Sequence, residues 1–348
     1  MATNKINHQR LAQGWSQAEL AECAGISRAA VSAIEMDRLV PSVSTALSLA
    51  AVFECSVEEL FGAPRQNPSH EWAWQPSVKP SRYWQASVGQ RLLKYPVEST
   101  SVSSLPHDGV GESMAKLREG DDPRRTLVLA SCDPAAGLLA AEFNRVTGFR
   151  MIVLQRSSRK ALELLKQGLV HAAGIHFATG DAPDCNEREV ELTLGKDRSH
   201  QLLRLADWQE GLAIGQGTGV STVSAALKSK LRWIGREPGS AARQCLEEIA
   251  PKKPAPKRIA FDHRGVAEAI RQSWADLGIC HRLAAEEAGL QFVPVRQEGF
   301  DLCYSTETAD DPRMKGLLQF IRSSRYRTLF GELPGINTRH AGETRRVS

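Results

Sequence analysis

Two groups of residues in this sequence have types and spacing that suit chemistry. The first lies in residues 15–42, WSQAELAECAGISRAAVSAIEMDRLVPS. Gln17, Ser27, Arg28, Ala29, Ser32 and Arg38 stand there between the apolar positions Leu20, Ala21, Ile26, Val31 and Ile34. An arginine beside small residues can bond bidentately to guanine, and the remaining polar groups suit phosphate oxygens. The second group lies at four places where a strand-like run gives way to a helix-like run: Ser131 with Asp133, Ser157 with Ser158, Gly239 with Ser240 and Arg243, and His263 with Arg264 and Gly265. Helix N-termini present free N–H groups and partial positive charge, which suits an anion. In open α/β sheets, ligands gather at the carboxyl ends of strands.

The elements that must hold the first group are short helices. Ser16, Ser27, Ser42 and Ser56 each precede a helix-like run, where a hydroxyl caps free amides. Ser16 with Glu19 and Ser56 with Glu59 have capping-box spacing. Five helices follow, near Asn7–Gln13, Gln17–Ala24, Arg28–Met36, Val43–Phe53 and Val57–Phe61. Gly25 turns the chain between the second and third, and Ala21 lets them approach. This is helix-turn-helix architecture, with the second helix of the pair entering the major groove.

The second group sits in residues 125–335, where strand-like and helix-like runs alternate from TLVLAS onward. Alternation of this kind predicts parallel sheet with covering helices. Asp133 reads as an N-cap and Pro134 as the first helical residue. Between the two regions, residues 63–124 carry Pro64, Pro68, Pro76, Pro80, Pro96 and Pro106 together with Trp72, Trp74, Tyr83, Trp84 and Tyr95. RYWQASVG and RLLKYPVE read as strands around a Gly89-Gln90 turn, giving a β-rich connector; a flexible linker is the alternative. Residues 336–348 read as a basic, frayed tail.

Residues 6–62 resemble the Cro/lambda-repressor helix-turn-helix family, through Gln17, Leu20-Ala21, Gly25-Ile26-Ser27, Val31-Ser32, Ile34-Glu35 and Pro41-Ser42. The resemblance implies that Gln17 contacts a phosphate and that Ser27, Arg28, Ala29 and Ser32 face the groove, with Arg38 on the backbone. Residues 1–62 carry four basic and seven acidic residues. A module of net charge −3 binds DNA weakly alone, which predicts a homodimer on a two-fold operator.

Residues 125–335 resemble the molybdate-binding branch of the periplasmic-binding-protein superfamily, in the serine pair, GSAARQCLEE and GVAEAIRQSWADLGIC. That implies a two-lobe α/β fold (type II) with a ligand in the hinge cleft, near Ser131–Asp133, Ser157–Ser158, Gly239–Ser240 with Arg243, and His263–Gly265. Asp133 replaces the family's oxyanion-binding serine, and Cys280 its late tyrosine. A carboxylate there repels molybdate and occupies the amides an anion needs. Molybdate or tungstate and a small organic metabolite both stay open as ligands.

The fold class expected is thus multidomain: an all-α helix-turn-helix domain at 1–62, a β connector at 63–124, a two-lobe α/β domain at 125–335 and the tail at 336–348. In 348 residues, 44 are basic and 40 acidic, so the +4 net charge carries no nucleic-acid coat. No run is long and apolar enough to span a bilayer, and no membrane partner is expected. The seven dispersed cysteines lack metal-finger spacing and suit reduced thiols in a cytoplasm, so neither a metal nor a cofactor is expected. His171 and His176 fall on opposite strand faces, which speaks against a joint metal site. Cys132 reads as a small buried residue. No nucleophile–base–orienter set is visible, so no enzyme is expected.

The sequence reading is therefore a one-component transcription regulator that binds operator DNA and senses a small ligand. Its rivals are an enzyme on the two-lobe scaffold and a ligand-independent DNA-binding protein with an oligomerising C-terminal domain.

Overall fold

A computed structural model describes residues 5–61, 71–98, 105–111, 122–179, 182–196, 199–251 and 254–347. The chain divides into two compact units, Met1–His70 and Glu71–Ser348.

The first unit holds five helices: α1 (Ile6–Ala12), α2 (Gln17–Ala24), α3 (Arg28–Glu35), α4 (Val43–Val52) and α5 (Val57–Phe61). Ser16 accepts the Glu19 amide while the Glu19 carboxylate accepts the Ser16 amide, a complete capping box. The Glu59 half of the second box lies outside the described side chains. Gly25 ends α2 at φ 66°, a left-handed conformation that a side chain resists. Ser27 and Ser42 then cap α3 and α4. Leu20, Ala21, Val31, Ile34 and Leu49 interlock with Ile6 and Leu60 as the core.

The second unit begins with a small sheet, β1 (Glu71–Trp72), β2 (Arg82–Val88), β3 (Arg91–Pro96) and β4 (Gly109–Val110), in the order β1-β3-β2-β4. Val88 pairs with Arg91 across Gly89-Gln90, the hairpin expected from sequence. The sheet packs against the domain that follows it. Trp84, Ala86, Leu93 and Tyr95 share one core with Val128, Ile152 and Leu154 of the following domain. The Tyr95 hydroxyl donates to the Leu169 carbonyl at 2.7 Å. Arg150 and Asp108, both buried, form a bidentate pair at 2.6 and 2.7 Å.

The rest of the unit is built on β5 (Thr126–Ser131), α6 (Ala136–Thr147), β6 (Arg150–Gln155), α7 (Ser158–Lys166), β7 (Ala172–Thr179), α8 (Cys185–Leu194) and β8 (His200–Ile214). Then follow α9 (Val223–Lys228), β9 (Trp233–Arg236), α10 (Ala241–Ile249), β10 (Arg258–Ala260), α11 (His263–Arg271), β11 (Leu277–His281), α12 (Arg282–Glu287) and β12 (Gln291–Ser305). The chain closes with α13 (Pro312–Arg322), α14 (Ser324–Gly331), β13 (Ile336–Asn337) and β14 (Thr344–Arg346).

The main sheet runs β10-β9-β11-β8-β12-β7-β5-β6, with β13 and β14 also on β8. Its flanks are parallel, as the alternation predicted, but β8 and β12 are antiparallel to each other and to their neighbours. These two long strands serve both lobes. β12 pairs with β7 through Glu298–Cys303, and β8 pairs with β11 through Glu210–Ile214. The changeover falls at Trp208–Glu210 and Arg296–Glu298, which is the hinge. Lobe one holds β5, β6, β7, α6 and α7; lobe two holds β9, β10, β11, α10, α11 and α12. The segment expected to be a frayed tail is instead strapped to β8, and Val347 is buried. Its strand pairing outweighs its basic composition.

Candidate functional site

On the helical unit, Ser27, Arg28 and Ala29 are exposed at the start of α3, and Ser32 is half-buried one turn on. The Ser27 hydroxyl already accepts the Ala30 amide at 3.1 Å, so it acts first as a cap. Arg38 is exposed just past α3. Gln17 donates to Glu35 at 2.7 Å, and Glu35 also takes Arg10 at 2.6 Å. Burial alone would lift the Glu35 carboxyl, but the Arg10 and Gln17 hydrogen bonds outweigh it and hold it below its ordinary value. This network ties α1, α2 and α3 together at the C-terminal end of α3.

In the second unit, several of the expected junctions meet at the hinge. From lobe one come Ser131, Cys132 and Asp133 after β5, Ser157 and Ser158 before α7, and His176 on β7, all buried. From lobe two come Arg236 at the end of β9, His263 at the start of α11 and His281 at the end of β11, also buried. The hinge strands add Trp208, Glu210, Arg296 and Glu298. Trp208 packs edge-on against His281 at 4.5 Å and His176 at 4.8 Å, and stacks on Phe300 at 4.3 Å.

The Asp133 carboxylate accepts the Ala135 amide at 2.7 Å, and α6 starts only at Ala136, so Asp133 closes a turn rather than capping Pro134 directly. Burial lifts its carboxyl to about 6, against the pull of the Ala135 amide and the Arg264 charge. Ser131 accepts the Asp133 amide, and Ser158 accepts the His176 amide at 3.3 Å. Ser157 makes no side-chain cap to α7. Ser240 caps α10 by accepting the Arg243 amide, and Asp262 caps α11 by accepting the Gly265 amide. Gly239 holds φ 81°. Arg264 crosses the cleft, donating to the Pro134 carbonyl at 2.9 and 3.1 Å and pairing with Glu287. Lys160 of lobe one pairs with Glu237 of lobe two. These two bridges hold the lobes closed.

Arg243 is a correction. Its guanidinium pairs with Glu247 along α10 and lines a separate pocket with Trp233, Leu246 and Pro256. Its guanidinium is thereby engaged along its own helix, whereas Arg236 at the end of β9 is buried.

Three hinge groups stand in line. Cys132 Sγ lies 3.0 Å from His176 Nε2, and His176 Nδ1 lies 2.6 Å from Glu298 Oε2. Trp208 and Arg296 also donate to Glu298. A nucleophile–base–orienter spacing is therefore present, although none was visible in the sequence. Cys132 is only 2% exposed. Burial and the Glu298 charge push the neighbouring Glu210 carboxyl well up, against Arg296.

Cys132, His176 and His263 also bring ligand atoms within 4.8 Å of one another, a spacing that could hold a metal ion. The tautomers divide them. His176 donates from Nδ1 to Glu298. His263 Nδ1 accepts the His281 amide at 3.1 Å, which leaves its ring proton on Nε2. His263 thus offers a donor, and a full three-ligand set is not present in this geometry. His171 is elsewhere, between the Val128 amide and the Ser87 carbonyl.

Sequence reasoning missed Trp208, Glu210, Arg236, His281, Arg296 and Glu298. Their signals were partial: Arg236 and His281 each end a strand, as ligand contacts do, and Glu210 stands at the head of the apolar run GLAI.

The comparisons with known proteins agree with this division. Residues 140–322 match the PBP superfamily domain, and residues 6–60 match a helix-turn-helix domain. The "Uncharacterized HTH-type transcriptional regulator YgzD" of Bacillus subtilis (strain 168) is 36% identical over 64 residues, covering 18% of this chain and 97% of that protein. The "Uncharacterized protein YvgK" of the same organism is 21% identical over 242 residues, covering 67% of this chain and 78% of that one. A putative phosphate ABC transporter substrate-binding protein from Clostridium perfringens, solved with bound phosphate, shares the fold. It has a TM-score of 0.50 at 12% identity, covering 61% of this chain and 99% of that chain.

Proposed function

Since this chain belongs to the PBP superfamily and carries a helix-turn-helix domain of the regulator type, we propose that it is a one-component transcription regulator in which that domain binds operator DNA and the two-lobe domain senses a small ligand. The observation that carries this reading is the hinge cluster. Residues from both lobes converge there, and Arg236, His263 and His281 keep buried donor atoms without partners. A ligand closed between the lobes would complete them.

The recognition contacts on this reading are Ser27, Arg28, Ala29 and Ser32 facing the groove, with Gln17 and Arg38 to the backbone. A homodimer places two heads on a two-fold operator. The cleft contacts are Ser131, Asp133, Ser157, Ser158, Gly239, Ser240, His263, Arg264 and Gly265, joined by Arg236 and His281. The ligand is a molybdate-like oxyanion or a small organic metabolite. It regulates only if it binds one DNA-competence state better than the other.

Differential scanning of the purified protein tests this, with molybdate, tungstate, phosphate, nucleotides and organic acids as probes. A ligand at about 100 times its Kd adds roughly 2.7 kcal/mol. For a domain of this size that is about 5–10 °C. The same compound must change operator retention in a gel-shift assay. A stabilising compound with no effect on DNA binding would refute regulation. The Cys132–His176–Glu298 line favours one rival, an enzyme on this scaffold; consumption of the stabilising compound would reveal it.

A further inference from the structure

The ligand-sensing reading leaves the ligand's chemistry open, and lobe two narrows it. Arg236, His263 and His281 sit at the carboxyl ends of β9, β10 and β11, which lie side by side in the sheet. They are 2%, 1% and 0% exposed. Arg236 donates one Nη2 proton to the Phe261 carbonyl at 3.1 Å, but its Nε and Nη1 atoms have no partner. His263 Nδ1 accepts the His281 amide, and His281 Nδ1 accepts the Leu283 amide at 2.9 Å. A neutral imidazole has one ring proton, so in both rings it must sit on Nε2. Both Nε2 atoms are likewise buried without partners. The two rings lie 6.2 Å apart, and a ring nitrogen of His263 comes within 4.8 Å of Cys132 across the cleft.

Four buried donor nitrogens from three adjacent strand ends therefore lack an acceptor, and one of the three side chains carries a permanent charge. Leaving such donors unmet is costly, so the missing partner is an acceptor. Ser240, Asp262 and His281 each take one first-turn amide of α10, α11 and α12, those of Arg243, Gly265 and Leu283. A cation or a donor-only ligand would leave the whole set unsatisfied.

We propose that Arg236, His263 and His281 form a fixed-donor cradle for one anionic acceptor group of the ligand, a carboxylate or an oxyanion. The proposal rests on the ligand-sensing reading, yet can fail while that reading stands. Burial holds His281 near a pKa of about 3 and His263 well below its ordinary value, so the cradle reads acceptors rather than pH.

The experiment is long-range proton–nitrogen NMR of the full chain with labelled histidine, titrated with sodium acetate, phosphate and molybdate. Both rings should show the Nε2–H tautomer at pH 7. Their Nε2 protons should move with at least one anion, and the strongest anion distinguishes a carboxylate from an oxyanion. Arg236→Gln should weaken that binding on the order of a hundredfold. His263→Gln, which keeps a donor near the Nε2 position, should retain more binding than His263→Phe. Nδ1–H tautomers, or Nε2 protons indifferent to all three anions, would overturn the cradle. A neutral metabolite that stabilises wild type and Arg236→Gln equally would overturn it too, while leaving ligand sensing intact.

Discussion

Lowering the pH from 7 to 5 should destabilise the second unit, because three of its histidines are kept neutral by burial. His171 is held at about 4, its burial reinforced by the Arg313 charge; His281 is held at about 3, and His263 lies well below 6.5. A depressed histidine takes up protons only in the unfolded chain between its folded value and 6.5. Its contribution is complete above 6.5 and is lost as pH falls. At pH 5 the unfolded state gains about 2 kcal/mol per ring, or about 6 kcal/mol for three. Asp133 acts in the opposite sense. Its carboxyl is raised from 3.8 to about 6, so the native state takes up a proton first, returning about 1 kcal/mol. Glu210 pulls the same way as Asp133. The three rings outweigh Asp133, so a net loss below about 5 kcal/mol is expected, a large part of a typical stability of about 5–15 kcal/mol. Urea unfolding followed by tryptophan fluorescence at the two pH values measures it. His281→Asn keeps an acceptor for the Leu283 amide and removes one titrating ring, so its fall should be smaller by about 2 kcal/mol. A stability that is flat or rises on acidification would refute the buried, neutral imidazoles.

Three further outcomes follow from named contacts. Arg28→Ala should weaken binding to an operator selected from random DNA by about 1–3 kcal/mol and relax preference at one base pair; unchanged affinity would remove Arg28 from the groove. Asp108→Ala strands the buried Arg150 charge and should cost about 3–5 kcal/mol in thermal unfolding, with Arg150→Met in the same background recovering much of it. Two separate melting transitions would instead make the small sheet a unit of its own. Arg264→Ala removes both bonds to Pro134 and should open the cleft, speeding amide hydrogen exchange at the start of α6 by about 10-fold or more; unchanged exchange would show that Arg264 is no latch.

The helical unit was legible because its signals are local. Ser16, Ser27 and Ser42 mark helix starts by hydroxyl caps, and Gly25 marks a turn by its positive φ; neither needs a distant partner. The alternating flanks of the main sheet were legible for the same reason. The hinge strands were not. β8 and β12 read as apolar runs only in their lobe-two halves, because Arg204 and Asp301 break the other halves with charges that meet only after folding. The site was half legible. Junction positions follow from strand and helix boundaries, so His263 and Asp133 could be named. Which arginine is buried depends on folding: Arg236 ends a strand and is buried, whereas Arg243 pairs with Glu247 along α10. The pairing of Cys132 with His176 spans 44 residues and two strands, beyond any spacing rule.

The geometry also limits what a small anion can do. Lobe one and the β1–β4 sheet share a core and are locked by Arg150–Asp108 and by Tyr95 on Leu169. Within the second unit, the part free to reorient is therefore lobe two, about β8 and β12. Its position is held by Arg264 on Pro134, by Lys160 with Glu237, and by Arg296, which bonds Glu298 on the hinge and the Ala241 carbonyl of α10. Turning a two-state switch from 1:99 to 99:1 requires about 5.5 kcal/mol of differential binding. A charge-assisted hydrogen bond supplies about 1.5–3 kcal/mol, and bonds confined to lobe two are made in the open and closed states alike. An anion seated only on Arg236, His263 and His281 binds without switching. On the proposed reading, a ligand that switches the unit would carry a second group that reaches lobe one in the closed state alone. If Asp133 is a ligand contact as proposed, its carboxyl, lifted to about 6, would be complemented by a hydroxyl or amine.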